Sequence, residues 1–248
     1  MIAERIKYIK EKYNIDCPAP TKYEPAQNLP IASYIDHTLL ANDATPEQVT
    51  KLCNEAKEHS FASVCVNECY SALAYSILKD TSVKVCCVIN FPLGSANTNV
   101  KVAEGISAIK NGAKEIDMVI NCGWMKGGLY KEVLEDISSV AKACHDNQAI
   151  LKVIIEATCL EKEELIIDAC LLSAAAGADF VKTSTGMHKN GGAKVEHVKL
   201  MRETVGGKLG VKAAGGIKTG LDAMKMIEAG ASRLGASSGI AIVTSYKK

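Results

Sequence analysis

Several classes of protein are excluded by what this sequence of 248 residues lacks or contains little of. It has no apolar run near the ~18 residues that a membrane-spanning helix needs. Its first segment, MIAERIKYIKEKYNI, is too charged for a secretory signal. Aromatic residues make up only 5% of the chain, which argues against a stacking surface for single-stranded nucleic acid. The net charge of +1 provides no overall field that would attract nucleic acid or anionic lipid, so we expect neither as a partner. Without a signal segment or a spanning segment in the sequence, we expect a cytoplasmic protein.

The ten cysteines do not have the spacing of a disulfide scaffold or of a zinc site. Most of them lie inside apolar segments, and no C-x-x-C pair is present. The spacing of Cys65 and Cys69 has no second half that would complete a set of four ligands. We therefore expect free thiols in a reducing compartment, with no metal and no other cofactor.

From residue 31 onward the chain repeats one unit, a short apolar segment followed by an amphipathic helix. Eight such segments are predicted as strands, at 33–40, 62–67, 84–90, 115–121, 149–156, 179–185, 210–215 and 233–237. Alternating strands and helices form a parallel sheet, and nearly continuous apolar strands indicate that both faces are covered. An open doubly wound sheet normally has a glycine-rich turn after its first strand, and none follows 33–40. The sequence therefore predicts an α/β fold, a single (β/α)8 TIM barrel over residues 31–248.

Residues 1–30 lie before the repeating pattern. Ile2, Ile6, Ile9 and Tyr13 have helical spacing and predict an amphipathic N-terminal helix. Four of the six prolines follow between residues 18 and 30, a pattern typical of an extended connector. We expect this helix and its proline-rich connector to pack on the barrel and not to form a second domain.

Residue types that begin and end helices support this division of the chain. Thr45-Pro46-Glu47-Gln48 predicts a helix start with a capping box, and Thr219 with Asp222 predicts another. Three similar segments predict helix ends at which a glycine takes the left-handed conformation: Gly112, Gly177 and Gly230.

Charged residues stand inside four of the predicted strands: Asp117 in EIDMVIN, Lys152 in ILKVIIE, Lys182 in FVKTSTG and Lys212 in GVKAAGG. The active site of such a barrel is built at the C-terminal ends of its strands, and a lysine is rarely buried without a partner. Each lysine taken alone could reach solvent at a strand edge. Three lysines at matching depth in neighbouring strands, beside an aspartate in the strand before them, indicate a cluster.

A cluster of this kind would change the charge state of a lysine. Two ammonium groups roughly 5 Å apart repel by ~3 kcal/mol at an effective dielectric constant of about 20. That repulsion would lower the pKa of one lysine from ~10.4 toward ~8, so that it is partly neutral and can form a Schiff base with a carbonyl compound. Asp117 would transfer protons during the reaction, and Lys152 would be a supporting polar group. The residues alone leave open whether Lys182 or Lys212 is the nucleophile.

A second set of candidate residues lies in AAGGIKT and LGASSG, after the seventh and eighth predicted strands. In TIM barrels these two loops commonly bind phosphate through backbone N–H groups and a helix N-terminus. The predicted phosphate site consists of Gly215, Gly216, Lys218, Gly235, Ser237 and Ser238. The alternative is that these glycines serve only the conformation of two tight turns.

Four other residues have simpler interpretations. His37 is predicted to be a packed strand histidine, and Cys65 a small buried apolar side chain. His188 and His197 lack the spacing of a zinc-dependent aldolase site.

Seven segments, IDHTLL, INFPLG, EIDMVIN, LKVIIE, VKTSTG, VKAAGGI and LGASSG, occur in an order that closely resembles the deoxyribose-phosphate aldolases. The resemblance covers residues 33–239 and implies a class I aldolase on a TIM barrel. It implies that Lys182 forms the Schiff base, that Lys212 lowers the pKa of Lys182, and that Asp117 transfers protons. It also implies reversible cleavage of 2-deoxy-D-ribose 5-phosphate to D-glyceraldehyde 3-phosphate and acetaldehyde, a step of deoxyribonucleotide catabolism.

The sequence departs from that family at three positions, with Asn90 for a usual glycine, Met187 for a usual phenylalanine or lysine, and Ala214 for a frequent serine or proline. Two other functions remain open. One is another metal-free enzyme acting on a sugar phosphate, such as a different Schiff-base aldolase or an epimerase that uses Asp117 as a base. The other is an inactive barrel that only binds a sugar phosphate, against which the intact lysine pair argues. A small sugar phosphate is the expected partner, and the protein is expected to be a homo-oligomer, either a dimer or a tetramer.

Overall fold

Eight parallel strands close into a barrel in the computed structural model, which describes residues 1–26 and 29–246. Each strand pairs with the next along the chain, and the last pairs with the first. The strands are β1 Ile35–Leu39, β2 Ser63–Asn67, β3 Lys84–Ile89, β4 Glu115–Val119, β5 Ile150–Ile154, β6 Phe180–Lys182, β7 Gly210–Ala214 and β8 Arg233–Ala236. The predicted TIM barrel is confirmed, and each strand is slightly shorter than its predicted segment.

The helices cover the outside of the barrel and connect its strands. They are α1 Ile2–Tyr13, α2 Pro46–His59, α3 Ser71–Leu78, α4 Thr98–Lys110, α5 Cys122–Gly127, α6 Tyr130–Asp146, α7 Ala157–Leu160, α8 Glu163–Ala175, α9 Val195–Val205, α10 Gly220–Glu228 and α11 Gly239–Ser245. Two short 3-10 helices lie at Ile31–Tyr34 and Glu68–Tyr70. Within residues 1–26 and 29–246, no helix combines the length and the apolar character needed to span a bilayer.

The predicted helix ends are confirmed by their hydrogen bonds and backbone angles. Thr45 Oγ1 accepts from the N–H of Gln48 at 3.3 Å, while Gln48 Oε1 accepts from the N–H of Thr45 at 2.9 Å. Thr219 and Asp222 form the same reciprocal pair at the start of α10. The three glycines predicted to end helices have φ angles of 104°, 86° and 109°, which other residues rarely adopt: Gly112, Gly177 and Gly230.

The N-terminal helix packs against the outer face of α8. Asp168 on α8 is fully buried and accepts hydrogen bonds from the guanidinium of Arg5 and from Tyr130 Oη. Tyr13 stacks on the ring of Tyr130 at 4.5 Å between centroids. Because α1 covers α8, that helix is buried on nearly all sides.

The division of the chain at residue 31 stays a prediction. The predicted ranges are 1–30 for the helix with its connector and 31–248 for the barrel. Residues 27–28 of the first range and 247–248 of the second lie outside the described part of the chain. The described part of the connector runs beside the barrel, where Thr21 forms an isolated parallel bridge with Gly206. The guanidinium carbon of Arg202 lies over the ring of Tyr23, 3.8 Å from the centroid of that ring.

Candidate active site

The charged residues inside the barrel meet around the carboxylate of Asp117, which is fully buried on β4. Lys182 Nζ and Lys212 Nζ each donate to Asp117 Oδ2 at 2.8 Å, and Lys152 Nζ donates to Oδ1 at 2.8 Å. The strands β4 to β7 are consecutive neighbours in the barrel, and Lys182 is paired with Lys212 in the sheet register. The structure therefore brings all four charged residues that the sequence singled out to one point.

Three further charged residues complete the cluster, and sequence reasoning missed them. Asp36 on β1 lies 2.5 Å from Lys212 Nζ, and Glu115 on β4 lies 2.6 Å from Lys152 Nζ. Arg233 on β8 bonds to Asp36 Oδ1 at 2.7 Å and to Glu115 Oε2 at 3.0 Å. The signal was strand alternation, because Glu115 and Asp117 are two residues apart on one strand and so point to the same side.

Mutual pairing decides the charge state of the buried lysines. Burial alone would lower the pKa of Lys212, but the carboxylates of Asp117 and Asp36 outweigh it and raise that pKa. Burial likewise opposes the charge of Lys152, yet Asp117 and its other neighbours raise its pKa well above the ordinary value. Burial alone would raise the pKa of Asp117, but the three lysines hold it well below its usual range. In the cluster without substrate, Lys212 and Lys152 are therefore cations near neutral pH, and Asp117 is an anion.

One of the three lysines differs from the others in its access to solvent. Lys152 and Lys212 are fully buried, whereas Lys182 is 3% exposed and lines a pocket of about 430 Å³ at the C-terminal ends of the strands. Thr38, Thr185 and Met187 contribute to the walls of this pocket. Among the residues of the Asp117 cluster, Lys182 alone is part of the pocket lining.

The same pocket is lined by every residue of the predicted phosphate site: Gly215, Gly216, Lys218, Gly235, Ser237 and Ser238. Gly215 and Gly216 follow β7 with φ angles of 88° and 83°, so the turn requires glycine at both positions. A Cβ atom on Gly235 would lie 3.0 Å from Lys212 Cε, so this glycine makes room for the buried lysine. The glycines thus have conformational and packing reasons to be present, and they also leave the loops open to the pocket.

Two cysteines lie beside the cluster. Cys86 Sγ donates to Asp117 Oδ1 at 3.1 Å, and a hydrogen bond from Cys86 lowers the pKa of Cys65. Cys65 is fully buried as predicted, but it is more polar in its contacts than a simple apolar side chain. Cys65, Cys86 and Asp117 form the one group of three possible metal ligands found in residues 1–26 and 29–246. The lysines bonded to Asp117 oppose a metal cation at this place.

The packing of His37 and the backbone conformation of Asn90 are both explained by their local contacts. His37 is buried and its Nε2 lies 2.7 Å from Glu55 Oε2, as expected of a packed strand histidine. Asn90 has a φ of 46°, a left-handed conformation that glycine adopts freely and that asparagine tolerates better than most residues. Its Oδ1 also accepts from the N–H of Ala96 at 2.8 Å, which orders the loop after β3. The departure from glycine at this position therefore preserves the local backbone.

Comparison with known proteins agrees with this geometry. The model of the DeoC/LacD family aldolases matches residues 31–245. A deoxyribose-phosphate aldolase of Thermoanaerobacter sp. strain X514 is 54% identical over 219 residues, which cover 88% of this chain and 97% of that relative. One of Clostridium novyi is 56% identical over 214 residues, covering 86% of this chain and 95% of the relative.

Solved structures give the same result. A protein of Coccidioides immitis with a provisional deoxyribose-phosphate aldolase assignment has a TM-score of 0.86 and 44% identity, and the match covers 98% of this chain and 97% of that one. The tetrameric deoxyribose-phosphate aldolase of Aeropyrum pernix has a TM-score of 0.80 and 34% identity, covering 87% of this chain and 90% of that one. On the family match and the identity to these relatives, the chain belongs to the DeoC/LacD aldolase family.

Proposed function

We propose that this chain is a deoxyribose-phosphate aldolase that reversibly cleaves 2-deoxy-D-ribose 5-phosphate to D-glyceraldehyde 3-phosphate and acetaldehyde through a Schiff base on Lys182. Relatives with that activity in their names are 54% to 56% identical over most of the chain. One observation carries the choice of nucleophile: Lys182 is bonded to Asp117 and also lines the pocket that the phosphate loops line. Its Nζ is therefore within reach of both the buried charges and a bound sugar phosphate.

Lys182 acts as the nucleophile in its neutral form. Its Nζ attacks the aldehyde carbon of the open-chain sugar, and loss of water from the carbinolamine gives a protonated imine. Removal of the proton from the C3 hydroxyl then breaks the C2–C3 bond: the imine accepts the electron pair as an enamine, and carbons C3 to C5 leave as D-glyceraldehyde 3-phosphate. Protonation of the enamine at C2 and hydrolysis then release acetaldehyde and free Lys182.

Lys212 provides a positive charge beside the reacting nitrogen of Lys182. Both Nζ atoms lie 2.8 Å from the same oxygen of Asp117, so they are within two hydrogen-bond lengths of each other. The raised pKa of Lys212 keeps its charge in place across the neutral range. Repulsion between lysines alone would lower the pKa of Lys212. The carboxylates of Asp36 and Asp117 instead stabilise its charge.

Asp117 transfers protons between the cluster and the bound intermediate, and Lys152 supports its orientation. Asp117 Oδ2 is shared by Lys182 and Lys212, which places one oxygen beside the reacting nitrogen. Lys152 holds the other oxygen at 2.8 Å and is itself fixed by Glu115. The carboxylate is thus fixed in position before substrate binds, which is what proton transfer in the transition state requires.

The phosphate of the substrate binds at the loops after β7 and β8, through Gly215, Gly216, Gly235, Ser237 and Ser238, with Lys218 adding charge. A phosphate distant from the reacting carbon supplies binding energy that fixes the sugar in the reactive position. We include in the proposal a cytoplasmic location and assembly as a homo-oligomer, which the relative from Aeropyrum pernix supports by its tetrameric structure.

The covalent step predicts one modified peptide. Incubation with acetaldehyde followed by borohydride reduction should add one ethyl group to Lys182, because it is the cluster lysine in the pocket. Intact mass and peptide mapping measure the result, and EDTA should have no effect. Lys182→Met is the control that should remain unmodified, and an ethyl group found on Lys212 or Lys152 would contradict the assignment.

The coupling of the two lysines predicts a shift of the pH profile. Lys212→Met removes the cation that shares Asp117 Oδ2 with Lys182, so adduct formation should slow at pH 7 and move to higher pH. A repulsion of ~3 kcal/mol, as between charges roughly 5 Å apart at an effective dielectric constant of about 20, corresponds to a loss of up to ~100-fold at pH 7 that recovers as the pH rises. Lys212→Arg keeps the charge and should keep a profile near that of the wild type. Equal shifts in the two variants would show that the charge of Lys212 is not the cause.

The phosphate loops predict a difference between two substrates. Ser238→Asp places a negative charge in the pocket lining, where like charges about 4 Å apart repel by ~4 kcal/mol at an effective dielectric constant of about 20. Steady-state kinetics should show a large rise in KM for 2-deoxyribose 5-phosphate and little change for 2-deoxyribose. Ser238→Asn, of similar size and uncharged, is the matched control. Equal loss on both sugars would mean that these loops are only structural turns.

A further inference from the structure

Glu156, two residues beyond the end of β5, has an unusual conformation for its residue type. Its φ and ψ angles are 49° and 58°, the left-handed region that a side chain disfavours. It is also buried, with 4% of its surface exposed, and a buried carboxylate is costly unless it is well paired. Two such costs at one residue near an active site are typical of a position kept for function and not for stability.

The carboxylate of Glu156 is hydrogen-bonded to Thr185, which lies three residues after the candidate nucleophile Lys182. Glu156 Oε2 accepts from the N–H of Thr185 at 3.1 Å and from Thr185 Oγ1 at 2.5 Å. Thr185 Oγ1 in turn accepts from the N–H of Met187 at 3.1 Å. Thr185 and Met187 both line the pocket that contains Lys182. Glu156 itself is absent from that lining, so it acts on the pocket through Thr185.

The segment after Glu156 makes further contacts with the same loop. The N–H of Ala157 donates to the carbonyl of Thr183 at 2.8 Å. Thr158 Oγ1 donates to the carbonyl of Gly191 at 3.1 Å, and Asn190 Nδ2 donates to the carbonyl of Thr158 at 3.2 Å. The segment formed by Glu156 and the start of α7 therefore holds the loop between β6 and α9 at its beginning and again near its end.

The far end of this loop lies on the predicted phosphate turn. The N–H of Ala193 is shared between the carbonyls of Ala214 at 3.0 Å and Gly215 at 3.1 Å. A Cβ atom on Gly192 would lie 2.4 Å from the carbonyl oxygen of Gly215, so the two backbones are in direct contact. The loop that Glu156 holds at Thr185 thus connects β6 with the turn after β7.

We propose that Glu156 is a positioning residue that sets the separation between Lys182 and the phosphate turn, and so determines the preference for phosphorylated substrates. The inference rests on the proposed function. Without the carboxylate, Thr185 loses its anchor at the start of the loop, which is then held only further along, at Thr158, and the turn at Gly215 shifts relative to the nucleophile. A substrate held at both ends depends on that separation, whereas a sugar held only at Lys182 does not.

The test compares Glu156→Ala and Glu156→Gln on both sugars. Glu156→Ala should raise KM for 2-deoxyribose 5-phosphate at least ~10-fold, since small misplacements of a bound substrate have large effects. It should change kcat/KM for 2-deoxyribose by less than about twofold, and the acetaldehyde adduct on Lys182 should form as in the wild type. Glu156→Gln keeps an oxygen that accepts from Thr185 and should restore most of the KM.

A double-variant cycle with Thr185→Val separates the proposed path from a general effect on folding. Because Glu156 acts through Thr185, Glu156→Ala should affect KM less in the Thr185→Val background than in the wild type. Should Glu156→Ala fail to fold, Glu156→Asp, which withdraws the carboxylate from Thr185 by one methylene group, should show the same split between the two sugars. Additive costs, or equal losses on both sugars accompanied by a lower Tm, would overturn the inference. A wild-type protein that leaves both sugars intact would instead refute the proposed function.

Discussion

The carboxylate of Asp117 is the interaction on which the organisation of the barrel interior depends. Three lysines from three consecutive strands donate to its two oxygens, each at 2.8 Å. Buried charges of this number are tolerated only when each has a partner, because removing one partner leaves another charge uncompensated at high cost. Asp36, Glu115 and Arg233 extend the pairing to β1 and β8, so six of the eight strands contribute to one charge network.

The same network produces two kinds of lysine from one residue type. Lys152 and Lys212 are enclosed by carboxylates and have raised pKa values, so they remain charged. Lys182 touches the network on one side and lines the pocket on the other. In the proposed reaction the first two act through their charge and the third through its nitrogen lone pair. The closed barrel separates these roles, because only the C-terminal ends of the strands open into the pocket.

Much of this arrangement is predictable from the sequence, and the parts that are not have physical reasons. Asp117 and the three lysines stand out because charged residues interrupt apolar strands. Asp36 and Arg233 lie near strand ends, where a charged side chain is ordinarily solvated, so the pattern alone does not mark them; only Glu115 has a signal, its alternation with Asp117. Repulsion between lysines is readable from sequence, but the compensating carboxylates require the barrel to close. The choice between Lys182 and Lys212 depends on exposure, and nothing in their neighbouring residues determines it.

The backbone conformation of Glu156 is a further feature that could not be predicted from the sequence. Glu156 ends the predicted strand 149–156, where alternation assigns it an ordinary extended backbone, and its left-handed φ of 49° has no signal in the sequence.

The most direct test of the role of Asp117 is the exchange of the C2 hydrogens of acetaldehyde with D2O, measured by NMR for the wild type and for Asp117→Asn. The account predicts that the variant still forms the adduct on Lys182 but exchanges at least ~100-fold more slowly, since proton transfer by a positioned side chain contributes about that much. Exchange at the wild-type rate in Asp117→Asn would contradict it.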